Sequence, residues 1–140
     1  MIVVVIVVID TNILFSMLLA KSLQLRETFF DERKEFYAPN FVMVEIFEKK
    51  EKLLKYSKLS ETELYELMYR IFDRIKFVNE YAISRGSKTK AYELCKGIDE
   101  DDTPIIALAI ELDGEVWTGD KVLVEGLKKK GFDRFFKMSM

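Results

Sequence analysis

Four acidic side chains stand where apolar stretches of this chain end or begin. Asp10 follows the run IVVVIVVI, residues 2 to 9, and Asp120 follows Val116–Gly119. Asp102 heads the apolar segment IIALAIEL, residues 105 to 112, and Glu45 is the only polar residue in FVMVEIF, residues 41 to 47. Taken singly, each has an ordinary explanation. Aspartate is a favoured helix N-cap, and a glutamate in the first turns of a helix complements its dipole. Capping accounts neither for a lone glutamate among six apolar neighbours nor for acids recurring at the ends of buried elements. If the four converge, their repulsion must be relieved by protons, a basic group or a cation. The chain has no histidine and one cysteine, so a metal site would be built from oxygen donors, which suit one or two Mg²⁺ or Mn²⁺ ions. A cation held this way lowers the pKa of coordinated water and stabilises charge on a phosphoryl group. The chemistry indicated is phosphodiester hydrolysis. Absence of histidine also excludes Ser-His and Cys-His nucleophile systems and His-ligated zinc.

The elements that would position these acids alternate between strand and helix. Residues 2 to 9 read as a strand buried on both faces, as in a parallel sheet. Residues 13 to 30 suit a helix, and Lys34–Ala38 a second strand. Asn40 is an expected N-cap for a helix over residues 41 to 57, with Val42, Met43, Ile46, Phe47, Leu53 and Leu54 as its apolar stripe. Ser60 and Glu63 make a capping-box pattern for a helix to about Arg74. A short strand is expected at Lys76–Val78. Gly86 is expected to break the next segment before a helix over Lys88–Lys96 closed by Gly97. Asp101 or Asp102 would cap the buried helix, with Pro104 in its first turn. A strand at Glu115–Thr118, a helix over Lys121–Lys130 and a last strand at Phe135–Met138 complete the chain. In such an α/β arrangement the sheet is mostly parallel and covered on both faces. Ligands then bind beyond the carboxyl ends of the strands, where Asp10 and Asp120 fall.

With 140 residues, 49% hydrophobic and 33% charged, the chain is expected to form a single globular domain spanning residues 1–140. The net charge of −2 implies that any nucleic-acid contact depends on a local basic patch. The opening apolar run is too short for a membrane span and has no basic residue ahead of it, so no membrane association is expected. One cysteine fits a reducing cytoplasm.

These residues resemble a known family. Asp10-Thr11-Asn12 after a Val/Ile strand, Glu45 in an early helix, and DEDDTPIIALAIELDGEVWTGDKVL at residues 99 to 123 are similar to a PIN domain, the metal-dependent ribonuclease domain of VapC-like toxins and several RNA-processing factors. The Asp102-x₄-Ala107-Leu108-Ala109 spacing and the strand end Trp117-Thr118-Gly119-Asp120 are its most specific parts. The resemblance implies a three-layer α/β/α fold around a parallel sheet of four or five strands. It implies that Asp10, Glu45, Asp102 and Asp120 are the catalytic and metal-ligating acids, supported by Asn12 and Thr118. Asp99 would be an accessory ligand or a solvated neighbour. It also implies an RNA substrate, a homodimer, and an antitoxin partner if the chain is a toxin.

Three clusters could supply the cations that hold RNA: Lys49, Lys50, Lys52 and Lys55; Arg85, Lys88 and Lys90; and Lys128–Lys130 with Arg134. Glu48 and Glu51 interleave with the first, which reads as a solvated helix face. The Arg85–Lys90 segment is the preferred RNA contact, on an expected flexible connection. The helix from Ser60 carries a broad apolar face, Tyr65, Leu67, Met68, Ile71, Phe72 and Ile75, suited to the core or to a partner. Two alternatives stand beside the nuclease. A haloacid-dehalogenase-like phosphotransfer enzyme also opens on a strand ending in Asp, but wants a second Asp where this chain has Asn12. A non-catalytic PIN-like protein would bind RNA or a partner without cutting.

Overall fold

The computed structural model describes residues 4–138. Four parallel strands, β1 (Val5–Ile9), β2 (Lys34–Pro39), β3 (Ile75–Val78) and β4 (Glu115–Trp117), form one sheet in the order β3-β2-β1-β4. Strand β1 is therefore central, and Val7, Val8 and Ile9 are fully buried. Helices cover both faces, giving three α/β/α layers. The opening run is less uniform than its composition suggests. Residues 1–3 lie outside the described residues, and Val4 and Val5 are exposed. Full burial begins at Val7, where β4 joins the other side of β1.

Two expected helices are each divided. Residues 13 to 30 form α1 (Thr11–Leu18) and α2 (Leu23–Phe29), separated at Ala20, whose φ of 57° is left-handed. Ser22 restarts the chain by accepting the Leu25 N–H. Residues 41 to 57 form α3 (Asn40–Glu48) and α4 (Lys50–Tyr56), broken at Lys49. Asn40 is the first helical residue rather than the cap. Pro39 holds the cap position, its fixed φ already suited to a helix start, and no side chain caps. The stripe is broken with the helix: Val42, Ile46 and Leu53 are buried, Phe47 and Leu54 exposed.

Helix α5 (Glu61–Arg74) starts on the full reciprocal capping box. Ser60 accepts from the Glu63 N–H, and Glu63 accepts from the Ser60 N–H. Its Leu64, Leu67, Met68 and Ile71 lie in the core, so much of its apolar face is spent inside the molecule. Gly86 does not break the next segment. It sits in the first turn of α6 (Arg85–Cys95), which Ser84 caps, so the Arg85–Lys90 segment is helical rather than a flexible connection. Gly97 follows the helix at a φ of 80°.

Helix α7 (Thr103–Leu112) is apolar nearly all round, and Ile105 to Ala109 are buried beneath the sheet. It reverses through Asp113 and Gly114 into β4. A Cβ on Gly114 would stand 2.9 Å from the Ile6 side chain and 3.1 Å from its carbonyl oxygen, so glycine permits the close passage beside β1. Helix α8 (Lys121–Lys129) follows β4. The expected fifth strand is reduced to a single parallel bridge between Phe135 and Val116. Trp117 lies between Phe36 and Phe136, with ring centroids 5.9 and 5.0 Å away.

Candidate metal centre

The parallel sheet directs the carboxyl ends of β1, β2 and β4 toward one edge, and the chain places an acid after each. Asp10 leaves β1 and caps α1. Its Oδ1 accepts the Thr11 N–H at 2.7 Å. Its Oδ2 accepts the Thr118 hydroxyl at 2.8 Å and the Asn12 amide at 3.3 Å. Asn12 in turn accepts the Gly119 N–H at 3.0 Å, and the Thr118 hydroxyl accepts the Asp120 N–H at 3.1 Å. One hydrogen-bonded chain thus ties the end of β1 to the end of β4. Glu45 reaches in from α3 and accepts the Thr11 hydroxyl at 2.7 Å.

Asp120 caps α8 by accepting the Leu123 N–H at 3.1 Å with Oδ1, which leaves Oδ2 uncommitted to the helix. Asp102 occupies the N-cap position of α7, but its side chain makes no capping bond. Helix capping therefore does not explain Asp102. A 3-10 turn, Glu100–Asp102, precedes α7 and swings Asp99 onto the same side. Asp99, Asp102 and Asp120 each offer a carboxylate oxygen, all within 4.8 Å of one another.

These side chains line a cavity of about 210 Å³ that also takes in Asp10, Glu45 and Asp101. Phe41 and Lys49 complete its wall. All four predicted acids, Asn12 and Asp99 are therefore brought together, and Thr118 is bonded to Asp10. Arg85, Lys88 and Lys90 lie along α6 and do not line the cavity. Three contributors were not assigned to the acid site from sequence. Thr11 supports Glu45, a role with no signal beyond its place in DTN. Asp101 was a candidate cap for the buried helix alongside Asp102, and the run of acids around it gave no sign of which of them would reach the cavity. Lys49 looked like part of a solvated face, because the break in the helix at that residue is not visible in its spacing.

The electrostatics match the crowding. Burial raises the Asp10 carboxyl above its ordinary value, and the charges of Glu45 and Asp120 add to the rise; the Thr118 and Thr11 hydrogen bonds pull the other way. Asp102 is pushed up to about 8, first by burial and then by the charges of Asp10 and Asp99, with a hydrogen bond to Asp99 and the Asp120 charge adding further. Near neutral pH Asp102 thus keeps a proton that an ordinary aspartate would have lost. A divalent cation would relieve the same repulsion. The donors are all carboxylate oxygens, which fits a hard cation and gives no preference to zinc or copper.

A larger cleft, about 570 Å³, lies at the opposite edge of the sheet, beside Lys34, Arg70, Arg74 and Lys76. Its acids, Glu32, Glu35 and Asp73, are interspersed with these cations and, among the described residues, do not form a cluster close enough to share an ion. The buried Cys95 thiol is pushed up to about 11 by desolvation, so it is not an activated nucleophile.

No curated protein matches the chain. The family model described as the PIN domain matches residues 8–137, which include every acid of the cavity. PIN domains are in general nucleases that need divalent metals, and the acid cluster fits metal binding. On this match the chain belongs to the PIN domain family.

Proposed function

We propose that the chain is a metal-dependent ribonuclease that hydrolyses phosphodiester bonds in RNA. The observation that carries this reading is the convergence of carboxylates from β1, α3, the 3-10 turn before α7 and the end of β4 on one cavity. Asp102, Asp120 and Asp99 are positioned to hold Mg²⁺ or Mn²⁺, one or two ions, with Asp10 and Glu45 completing the negative wall. The bound cation would supply an acidified water and neutralise charge on the phosphoryl group. The protein's own part is orientation. Thr118 and Asn12 fix Asp10, and Thr11 fixes Glu45, before anything binds. Asp102, protonated near neutral pH, would give up that proton to ligate a cation.

The test is incubation of structured and unstructured RNAs with and without Mn²⁺, using Asp10→Asn and Asp102→Asn as controls. Cleavage that needs Mn²⁺ and is lost in both variants is expected. Full activity in either variant removes that residue from the catalytic set. Activity on small phosphomonoesters instead of RNA would favour the phosphotransfer alternative, and failure to bind Mn²⁺ would favour a non-catalytic binding protein.

Three finer features belong to the same reading. The protein acts in the cytoplasm as a homodimer, and as the toxin of a VapBC-type pair with an antitoxin partner. Val44, Phe47 and Leu54 on α3 and α4 give this part support, since all three are exposed apolar or aromatic side chains. No helix among the described residues is long and apolar enough to cross a membrane. Growth arrest on expression, relieved in Asp102→Asn, is the expected sign of a toxin; normal growth with an active enzyme would point to a housekeeping nuclease.

A further inference from the structure

Nucleic acid is a polyanion, and a cavity walled by carboxylates repels it. A nuclease of this kind needs cations placed beside the acids but not neutralised by them. Lys49 meets the first condition, because it lines the acid cavity where α3 gives way to α4. The second condition is met along α4. Lys49 and Lys52 both lie over the Phe15 ring, at 5.5 and 5.8 Å from its centroid. Lys55 lies 5.3 Å over Tyr56. Among the described residues, none of the three is in an ion pair. Glu48 and Glu51 stand four residues before Lys52 and Lys55, a spacing that commonly pairs. Here aromatic faces hold the ammonium groups instead, and a ring does not cancel the charge.

Spacing makes these three a row. Positions i, i+3 and i+6 fall on successive turns along one side of a helix. Its first member is at the cavity, and its last is at the far end of α4. Cations alternating with aromatic faces are the composition that tracks single-stranded nucleic acid without reading its sequence. The preferred sequence candidate, Arg85, Lys88 and Lys90, lacks this continuity, since none of the three reaches the cavity lining.

We infer that Lys49, Lys52 and Lys55 form the track on which the sugar-phosphate backbone of single-stranded RNA lies as it enters the acid cavity. Lys49 grips the phosphate next to the reacting bond. Lys52 and Lys55 hold successive phosphates outside it, so contact depends on charge and not on base identity. This deepens the ribonuclease reading and rests on it for the meaning of the cavity. The lysine contacts can nevertheless be tested without cleavage.

The experiment measures binding of a short labelled single-stranded RNA across a salt series, with Ca²⁺ in place of Mn²⁺. Wild type is compared with Lys49→Ala, with the triple variant Lys49→Ala/Lys52→Ala/Lys55→Ala, and with Arg85→Ala/Lys90→Ala on α6. Each lost phosphate contact on a single strand lowers the slope of log affinity against log salt by about 0.7. The triple variant should therefore be shallower by about 2, and Lys49→Ala by about 0.7, with the α6 variant unchanged. Lys49→Arg should restore the slope of the single change. An unchanged slope in the triple variant overturns the track, as does a loss confined to the α6 variant or an absence of RNA binding by wild type. Mn²⁺-dependent cleavage is scored separately. Cleavage with an unchanged triple-variant slope sinks the track alone, whereas a flattened slope without cleavage supports the track and sinks the nuclease reading. Circular dichroism of each variant checks that these exposed positions leave the fold intact.

Discussion

At the scale of single residues, the central fact is that carboxylates crowd before any cation is considered. Asp102 shows the consequence most directly. Its folded pKa of about 8 lies above the ordinary 3.8, so the folded state binds the proton more tightly than the unfolded chain. The stability this contributes is fully present below about pH 4 and is lost as pH rises through 8. Above about pH 5, where the low-titrating carboxyls of Asp31, Glu63 and Glu111 are already ionised, this contribution should lower the melting temperature of metal-free protein as pH rises to mildly alkaline values. Asp102→Asn should flatten that dependence and raise the melting temperature at pH 8, as read from thermal melts in chelator. Parallel pH curves for the two proteins would contradict the placement. Thr118 is a second point of leverage, because one hydroxyl donates to Asp10 and accepts from Asn12 and the Asp120 N–H. Thr118→Val keeps the shape and removes the hydroxyl. Chemical denaturation should show a loss of about 1–3 kcal/mol, the cost of leaving buried polar groups unsatisfied. Asp10, Glu45 and Asp120 were legible because each interrupts or closes an apolar stretch, and Asp102 because it heads one at a set spacing to Ala107 and Ala109. Thr11 and Lys49 were not, because their roles arise from side chains 34 residues away in one case and from a helix break in the other.

At the scale of elements, the acids are aimed by how helices end and pack. Gly126 illustrates this. A Cβ there would stand 2.6 Å from Ile98 Cδ1 and 3.0 Å from its Cγ1, so α8 rests directly on the residue before Asp99. In an exposed helix, glycine to alanine normally stabilises by about 1 kcal/mol. Here Gly126→Ala should instead destabilise by about 1–3 kcal/mol through overpacking. Pairing it with Ile98→Ala should recover part of that loss in a double-mutant cycle. Independent effects of the two changes would show that the contact does not couple them. Element type was largely readable, because the Val/Ile runs, the Ser60–Glu63 capping box and the apolar α7 each carry a strong local signal. The breaks at Ala20 and Lys49 were not, since both interrupt sequences that keep helical composition throughout. Gly86 erred the other way: a glycine in the first turn of a helix is tolerated when Ser84 supplies the cap. The last strand shrank to one bridge beside Val116, and its apolar residues Phe135 and Phe136 pack instead on the core.

For the molecule as a whole, the cavity exists only when the sheet is complete, since its walls come from positions as far apart as 10 and 120. An unfolded chain does not assemble it, so metal binding and folding are linked. Saturating Mn²⁺ at a hundredfold excess over its dissociation constant should stabilise the protein by about 2.7 kcal/mol. The shift should vanish in Asp102→Asn and on chelation, as measured by calorimetry; an equal shift in wild type and variant would mean that the ion binds elsewhere. The fold carries one more consequence through Trp117, the sole tryptophan of the chain. It is buried between Phe36 and Phe136 on the strand that delivers Asp120 three residues later. The protein thus has a single indole, which can be excited selectively beside its six tyrosines, shielded from water in the native state and wired through the backbone to the acid cluster. Its emission can follow both loss of the sheet and occupation of the cavity, with no label added.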